Sequence, residues 1–172
     1  MTIAPQDRDG ASDRTLVITW EDQGPLKRSG DLSGLETLRR VAAGTLPRPA
    51  VASLFGWDDL SEFEAGRAVA SFRPEERHYS PLGVVHGGVA MSLLDTAMAT
   101  AAYSSLAAGE TCVTIQLKVL FARVVTRAVG RLRCEGTVLD REGDLIAARA
   151  TIVDESGKSY AHGTGMCRVM RA

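Results

Sequence analysis

The stretch that decides the fold runs from residue 89 to residue 103 and reads VAMSLLDTAMATAAY. Small and apolar residues fill almost every position, so a helix formed by this stretch has almost no polar face. A helix that is apolar all round must be buried on nearly all sides. It is also shorter than the ~20 apolar residues that a membrane span needs. The stretch therefore predicts a single helix enclosed by the rest of the domain.

Beyond this helix the spacing of apolar residues changes to every second position. From Val113 to Phe121 apolar and polar residues alternate, as in a half-buried strand. Three more strands are predicted at about residues 129–139, 144–153 and 158–169. The sequences DREG at 140–143 and DESG at 154–157 have the turn chemistry of hairpins. These last strands are therefore predicted to form an antiparallel meander.

The region before the central helix predicts three further elements. Apolar residues repeat at helical spacing over 33–43, and Gly44 follows as a C-cap, which indicates a short amphipathic helix. Two strands are predicted at 54–64 and 67–72, and a loop rich in Ser, Pro and Gly at 79–88. An antiparallel sheet that curls around one helix would bury it on most sides. The pattern thus predicts an α+β fold with one enclosed helix.

Length and charge limit the classes of function. With 172 residues, the chain fits one domain over 33–172, preceded by a partly mobile N-terminal extension over 1–32. The formal net charge is -1, from 20 basic and 21 acidic residues. Such a balance gives polyanions no reason to bind nonspecifically, so nucleic acid is not an expected partner.

The cysteines and the N-terminus predict the compartment. Cys112, Cys134 and Cys167 are far apart, and an odd number of cysteines cannot all pair within one chain, so we expect buried thiols in a reducing compartment. The first residues contain no apolar core typical of a secretory signal. We therefore expect a cytoplasmic protein without a membrane partner. No metal site is expected, because no two of the three histidines are spaced at i, i+4.

Asp95 and a glycine pair are the candidate chemical groups. An ionised carboxylate in the middle of an apolar helix is costly unless a partner or a water-lined cavity receives it. Gly87 and Gly88 precede the helix, where unpaired N–H groups and the helix dipole can hold an anion or a developing oxyanion. Two structural alternatives remain open: Asp95 could be an ordinary hydrogen-bonded carboxylate, and the glycines could only relieve crowding at a turn.

The segment SPLGVVHGGVAMSLLD, residues 80–95, resembles the Asn-Pro-x-Gly-x-x-His-Gly-Gly-x6-Asp signature of PaaI-type hotdog thioesterases. The resemblance extends in outline over residues 33–170. It implies the hotdog fold, an antiparallel β-sheet wrapped around a central α-helix, here with a short N-terminal helix. It also implies hydrolysis of aryl- or acyl-CoA thioesters to free acid and coenzyme A. No cofactor is implied, since coenzyme A is part of the substrate.

The resemblance assigns catalytic roles to individual residues. The N–H of Gly87 would polarise the thioester carbonyl, and Asp95 would act as the nucleophile or as the base that activates water. His86 would shape the site. Thr114 falls where related enzymes carry a Ser or Thr that orients the attacking water. Ser80 departs from the family asparagine, and its single hydroxyl cannot make all the hydrogen bonds of an amide.

Three residues are candidates for substrate binding. Gly88 would let the ligand approach the backbone. Arg123 matches the arginine of the family's Phe-x-Arg-Pro, although Val124 replaces the proline, and Arg141 lies in the next hairpin. Either arginine would hold the phosphates of coenzyme A. The alternative for both is a solvated surface charge.

The spacing between Gly87 and Asp95 constrains the assembly. Eight residues on one helix separate them by ~12 Å along its axis, too far for both to reach one carbonyl. The acid must then meet the glycine of a second protomer, so the site is expected at a two-fold interface. We predict a homodimer that pairs further into a homotetramer.

Two other functions are compatible with the fold. A non-catalytic acyl-CoA-binding hotdog module would need a lost carboxylate or an attached DNA-binding segment, whereas Asp95 is present and the first fifty residues have no basic patch. A hotdog hydratase or dehydratase would need a His paired with an acid at another spacing. His78 and His162 are isolated, and we expect them to be ordinary surface or sheet histidines.

Overall fold

A computed structural model describes residues 14–24, 31–58 and 62–171. In chain order its elements are α1 (Gly34–Ala42), α2 (Ala50–Phe55), β1 (Glu62–Glu64), β2 (Arg67–Phe72), α3 (Gly87–Ser104), β3 (Glu110–Phe121), β4 (Leu132–Glu142), β5 (Leu145–Asp154) and β6 (Ser159–Arg171). Short 3-10 turns follow β2 at Glu76–His78 and β3 at Arg127–Val129.

The central helix α3 is enclosed as its composition predicts. Leu93, Leu94, Ala97 and Ala101 have no exposed surface, and the helix contacts strands β2, β3, β4, β5 and β6. It begins at Gly87, two residues earlier than predicted, because the His86 side chain caps its start. The predicted loop over 79–88 therefore ends at residue 86.

The six strands form one antiparallel sheet in the order β1-β2-β4-β5-β6-β3. Strands β4, β5 and β6 make the predicted meander, and their bounds, like those of β3, agree with the predictions to within three residues. Strand β3 pairs only with β6, so that its other side is a sheet edge within the described residues. A register shift in this pairing lies between Thr114 and Gln116.

Glycines let α3 approach the sheet. A Cβ at Gly136 of β4 would lie 2.2 Å from the carbonyl oxygen of Ala97, so only glycine fits there. A Cβ at Gly163 of β6 would come within 3.3 Å of the Met98 methyl group. The helix thus packs against β4 through its own backbone and against β6 through the flexible side chain of Met98.

The N-terminal helix is confirmed, whereas the strand predicted over 54–64 is wrong. The Ser33 hydroxyl accepts a hydrogen bond from the N–H of Glu36 and caps α1. Residues 50–55 form the short helix α2, and within 54–64 only Glu62–Glu64 form a strand, with residues 59–61 outside the described ranges. A short apolar run fits either structure by periodicity. Here Gly56, with a φ of 68°, ends a helix in the usual left-handed conformation.

The N-terminal extension contacts the domain where it is described. The Gln23 side chain donates to the carbonyl of Arg48 over 2.9 Å and accepts from the N–H of Ala50. The predicted mobility over 1–32 concerns in part residues 1–13 and 25–30, which lie outside the described residues. It stays a prediction.

His78 differs from the surface or sheet histidine that we expected. It lies in the 3-10 turn after β2 and is 5% exposed. Its Nδ1 accepts from the N–H of Glu75, and its Nε2 lies 3.1 Å from the carbonyl oxygen of Phe55. Burial lowers its pKa, so the neutral ring is favoured. His162 is an exposed sheet histidine on β6, as expected.

Candidate active site

The carboxylate of Asp95 has a specific partner. It is half-buried in the middle of α3, and the hydroxyl of Thr114 on β3 donates to its Oδ1 over 2.8 Å. A hydrogen bond to one oxygen fixes the orientation of the carboxylate and leaves its other oxygen able to accept from water or attack a substrate. The structure thus brings together the predicted acid and the predicted water-orienting residue.

A pair of thiols lies behind this contact. The sulfur of Cys167 on β6 is 3.9 Å from the Thr114 hydroxyl. A hydrogen bond with Cys112 is the main cause that lowers the pKa of Cys167, to about 7, and the same contact and burial raise the pKa of Cys112. The sequence indicated only buried thiols. Their position beside Thr114 depends on the register of β3 against β6, which separate sequence stretches do not reveal.

The start of α3 presents one unpaired backbone donor. The N–H of Gly88 donates to His86 Nδ1 over 2.9 Å, and that of Val89 donates to the carbonyl of His86. No described residue accepts from the N–H of Gly87, which as the first residue of the helix has no partner within it. His86 therefore orders the helix start, and Gly87 carries the donor that remains open.

Gly87 borders a small cavity. The cavity has a volume of about 220 Å³, and Gly87, Phe121 and Arg123 are among its lining residues. The Phe121 ring is so close that a Cβ on Gly87 would lie 3.2 Å from its Cζ. The Arg123 side chain donates to the carbonyl of Ser159. Phe121 was not among the predicted site residues, although it is the phenylalanine of the Phe-x-Arg pattern that contains Arg123.

Three other predicted residues already have hydrogen-bond partners within the chain. The Ser80 hydroxyl accepts from the N–H of Leu82 over 3.3 Å, within the turn that precedes the helix. Gly88 is occupied with the cap of the helix. The Arg141 guanidinium donates to the Glu110 carboxylate over 2.9 Å and holds the pKa of that carboxyl below its usual range. Arg141 is thus paired on the surface.

The predicted groups fall into two half-sites on one chain. We call Asp95 and Thr114 the acid half-site, and Gly87 with Arg123 the donor half-site. They lie eight residues apart on α3 and near opposite ends of β3, at Thr114 and just past Phe121. The structure does not join them within one protomer, in agreement with the ~12 Å separation expected along a helix.

Metal-binding groups and membrane-spanning helices among the described residues would bear on the class of site. Among the described residues, no group of three or more His, Cys, Asp or Glu side chains could hold a metal ion. Within residues 14–24, 31–58 and 62–171, none of the helices combines the length and the apolar character that crossing a membrane requires.

Residues 82–161, which contain both half-sites, match the model of the thioesterase superfamily. The sequence resemblance to PaaI-type hotdog proteins is thereby confirmed, and the sheet wrapped around α3 is the hotdog fold. No curated protein sequence matches this chain.

Several solved structures share this fold. A putative thioesterase, a phenylacetic acid degradation-related protein from Ralstonia eutropha JMP134, is 26% identical, with a TM-score of 0.69, and the match covers 76% of this chain and 98% of that chain. The PaaI protein of E. coli is 23% identical, with a TM-score of 0.69 and coverage of 80% and 96%. A Streptococcus mutans UA159 protein bound to acetyl CoA is 19% identical, with a TM-score of 0.60 and coverage of 67% and 89%.

Proposed function

We propose that this chain is an acyl-CoA thioesterase that hydrolyses acyl- or aryl-CoA to the free acid and coenzyme A. The observation that carries the proposal is the hydrogen bond from Thr114 of β3 to Asp95 of α3. Asp95 is on the same helix as Gly87, whose N–H has no acceptor among the described residues. An oriented carboxylate and an open helix-end donor are the two groups that acyl transfer to water needs.

The proposed reaction begins at the thioester carbonyl carbon. Asp95 either attacks this carbon or removes a proton from water as the water attacks. The carbonyl π bond opens, and the N–H of Gly87 and the positive helix end stabilise the resulting oxyanion. The oxyanion then re-forms the carbonyl and expels the coenzyme A thiolate. In the water route, Asp95 returns the proton to the thiolate, so that the products are a carboxylic acid and the free thiol. In the nucleophilic route, the acyl group stays on Asp95 as an anhydride; water then hydrolyses this anhydride to the carboxylic acid and free Asp95, and the remaining proton of the water goes to the thiolate.

The proposed catalyst is a dimer, because the acid half-site of one protomer needs the donor half-site of the other. Strand β3 supports this arrangement: it is a twelve-residue edge strand with exposed apolar side chains such as Val113 and Ile115, which are 44% and 50% exposed. An exposed apolar edge is a template for strand pairing. Antiparallel pairing of two β3 strands about a two-fold axis would put Thr114 of each protomer toward the Phe121 end of the other.

Arg123 is the proposed contact for the phosphates of coenzyme A, since it lies at the same cavity as Gly87. Arg141 is a weaker candidate because Glu110 already pairs with it. The acetyl CoA bound to the Streptococcus mutans protein indicates that this fold can hold a coenzyme A thioester. The proposal includes a cytoplasmic location, because Cys112, Cys134 and Cys167 are free thiols, as is usual in a reducing compartment.

The test is release of free thiol from phenylacetyl-, hydroxybenzoyl-, butyryl-, octanoyl- and palmitoyl-CoA. We expect turnover of at least one thioester and a loss of ~100-fold or more in Asp95→Asn, which keeps the shape of the side chain but not its charge. The Asp140→Asn variant, on the exposed end of β4, is a matched control expected to keep wild-type turnover.

Two results would count against the proposal. Binding of these thioesters without turnover by the wild type would favour the non-catalytic acyl-CoA-binding module. Full activity in a folded Asp95→Asn variant would remove Asp95 from the mechanism.

A further inference from the structure

A second cavity, larger than the one at Gly87, lies beside the central helix. Its volume is about 870 Å³, and its walls come from residues 19–21, α1, α2, one face of α3 and the start of β3. This volume is near the upper end of the ~300–1,000 Å³ that small-molecule sites occupy. None of the predicted site residues lines it, so neither half-site accounts for it.

The cavity extends along α3 to residues next to the acid half-site, although neither Asp95 nor Thr114 lines it. The residues of α3 that line it are Thr96, Ala99, Thr100 and Tyr103, which share one helical face. Ala99 is one turn beyond Asp95, a rise of ~6 Å. On β3, Cys112 lines the cavity and lies two residues before Thr114, so both side chains point to the same side of the strand. A ligand in this cavity would therefore end beside the carboxylate.

The lining is mainly apolar and includes both tryptophans of the chain. Trp57 is 4% exposed, and its indole N–H is buried without a hydrogen-bond partner among the described residues. Trp20 is 66% exposed, which puts it at an open part of the wall. Leu38 and Val41 of α1 face the same space. Covering an apolar surface of this extent with a hydrocarbon ligand is favourable in free energy, because the surface is then removed from water.

Of the three charged residues that the structure describes at the cavity wall, Arg48 and Asp58 interact with other parts of the protein. Arg48 donates to the carbonyl of Trp57 over 2.7 Å. Asp58 accepts hydrogen bonds from Ser71 and from Arg131. The third, Glu21, is exposed to solvent. The wall thus offers a hydrocarbon ligand a long apolar surface on which Arg48 and Asp58 are already paired.

We propose that this cavity holds the acyl chain of the substrate and selects aliphatic chains of about eight carbons or more over short ones. The inference rests on the proposed function for the identity of the ligand as a coenzyme A thioester. A short acyl group would leave most of the apolar wall in contact with water, whereas a longer chain would cover it.

The experiment measures binding without hydrolysis. S-dodecyl-CoA and S-butyl-CoA are thioethers, which the enzyme cannot hydrolyse, and their binding to the wild type is followed by tryptophan emission. Since Trp20 is exposed at the cavity, S-dodecyl-CoA should shift the emission to shorter wavelength, and it should bind at least tenfold more tightly than S-butyl-CoA.

Variants that fill the cavity test its location. Ala99→Phe on α3 and Val41→Phe on α1 each extend a side chain into the space, and either should reduce the tenfold preference for S-dodecyl-CoA to near unity. Ala43→Phe, at the end of α1 and outside the lining, is the matched control and should keep the preference. Thermal melting of each variant shows whether it is folded, and two filling variants protect the test against failure of one.

The results separate this inference from the proposed function. Equal affinity for both thioethers, or an unchanged preference in folded filling variants, would overturn the inference even if the enzyme hydrolyses thioesters. A preference for S-dodecyl-CoA that the filling variants remove would support it even if no thioester were hydrolysed, because binding does not need Asp95.

Discussion

At the scale of single residues, Gly87 is the position where structure and proposed chemistry coincide. It is the first residue of α3, and neighbouring N–H groups are already paired with His86. His86 itself has an extended backbone, with φ and ψ of -61° and 136°, which is the conformation that a residue before proline prefers. Proline is also well tolerated at the first position of a helix. The proposed donor can therefore be removed without breaking the helix.

We predict that Gly87→Pro loses ~10²–10³-fold in kcat, the usual cost of one oxyanion donor. Gly87→Ala is the matched control, because it adds a similar contact with Phe121, 3.2 Å from the new Cβ, but keeps the N–H. Steady-state kinetics of both variants on the best thioester checks this. Equal losses in the two variants would indicate crowding of Phe121 instead of a lost donor.

Thr114 is predicted to act by positioning Asp95. Thr114→Val keeps the shape but removes the hydroxyl that donates over 2.8 Å, and a hydrogen bond to a charged group contributes ~1.5–3 kcal/mol. We expect kcat to fall by ~10–100-fold with KM nearly unchanged, and Thr114→Ser to recover most of the loss. A change in KM alone would assign Thr114 to substrate binding.

At the scale of elements, the position of α3 depends on glycines in the strands beneath it. At Gly136 the obstacle to a side chain is the backbone of Ala97, which cannot move without the whole helix. At Gly163 the nearest obstacle is the end of the Met98 side chain, which can rotate away. The depth of the helix in the sheet is therefore set mainly at β4.

We predict that Gly136→Ala lowers the free energy of unfolding by at least ~1–3 kcal/mol, the usual cost of overpacking. Gly163→Ala is the control at a matching contact with the same helix and should cost less. Urea denaturation of both variants gives the comparison. If Gly163→Ala were the more destabilising, Met98 and not the backbone of Ala97 would limit the approach of the helix.

At the scale of the whole molecule, the two half-sites near opposite ends of β3 make the assembly part of the proposed chemistry. A shared site predicts that two inactive variants can restore each other. In a dimer of Asp95→Asn with Gly87→Pro, one site carries both defects and the other carries neither. Random exchange makes about half of the dimers mixed, so activity should return to about a quarter of the wild-type value.

Subunits can be exchanged by co-expression of the two variants with different tags, and mixed dimers can be isolated and assayed for thiol release. The control is the same exchange between Asp95→Asn and a tagged Asp95→Asn, which should stay inactive. No recovery in mixed dimers whose formation is verified would place both groups of a working site on one protomer.

The sequence by itself determined the elements whose signals are local. The enclosed helix, the last four strands and the glycine-containing loop before the helix follow from the spacing of apolar residues and from turn sequences. Both signals involve residues that are close in the chain. The same reasoning failed at α2, because six residues between Pro49 and Gly56, five of them apolar, are too few to distinguish a helix from a strand. The resemblance supplied the candidate residues of the site but not their contacts.

Only the tertiary structure decided which of these residues meet. The contact between Thr114 and Asp95, and that between Thr114 and Cys167, join residues 19 and 53 positions apart. They depend on the register of β3 against β6 and on how deeply α3 lies in the sheet. The large cavity likewise arises where α1 and α2 pack beside α3. These contacts and this cavity result from the packing of whole elements, and no local pattern in the chain encodes them.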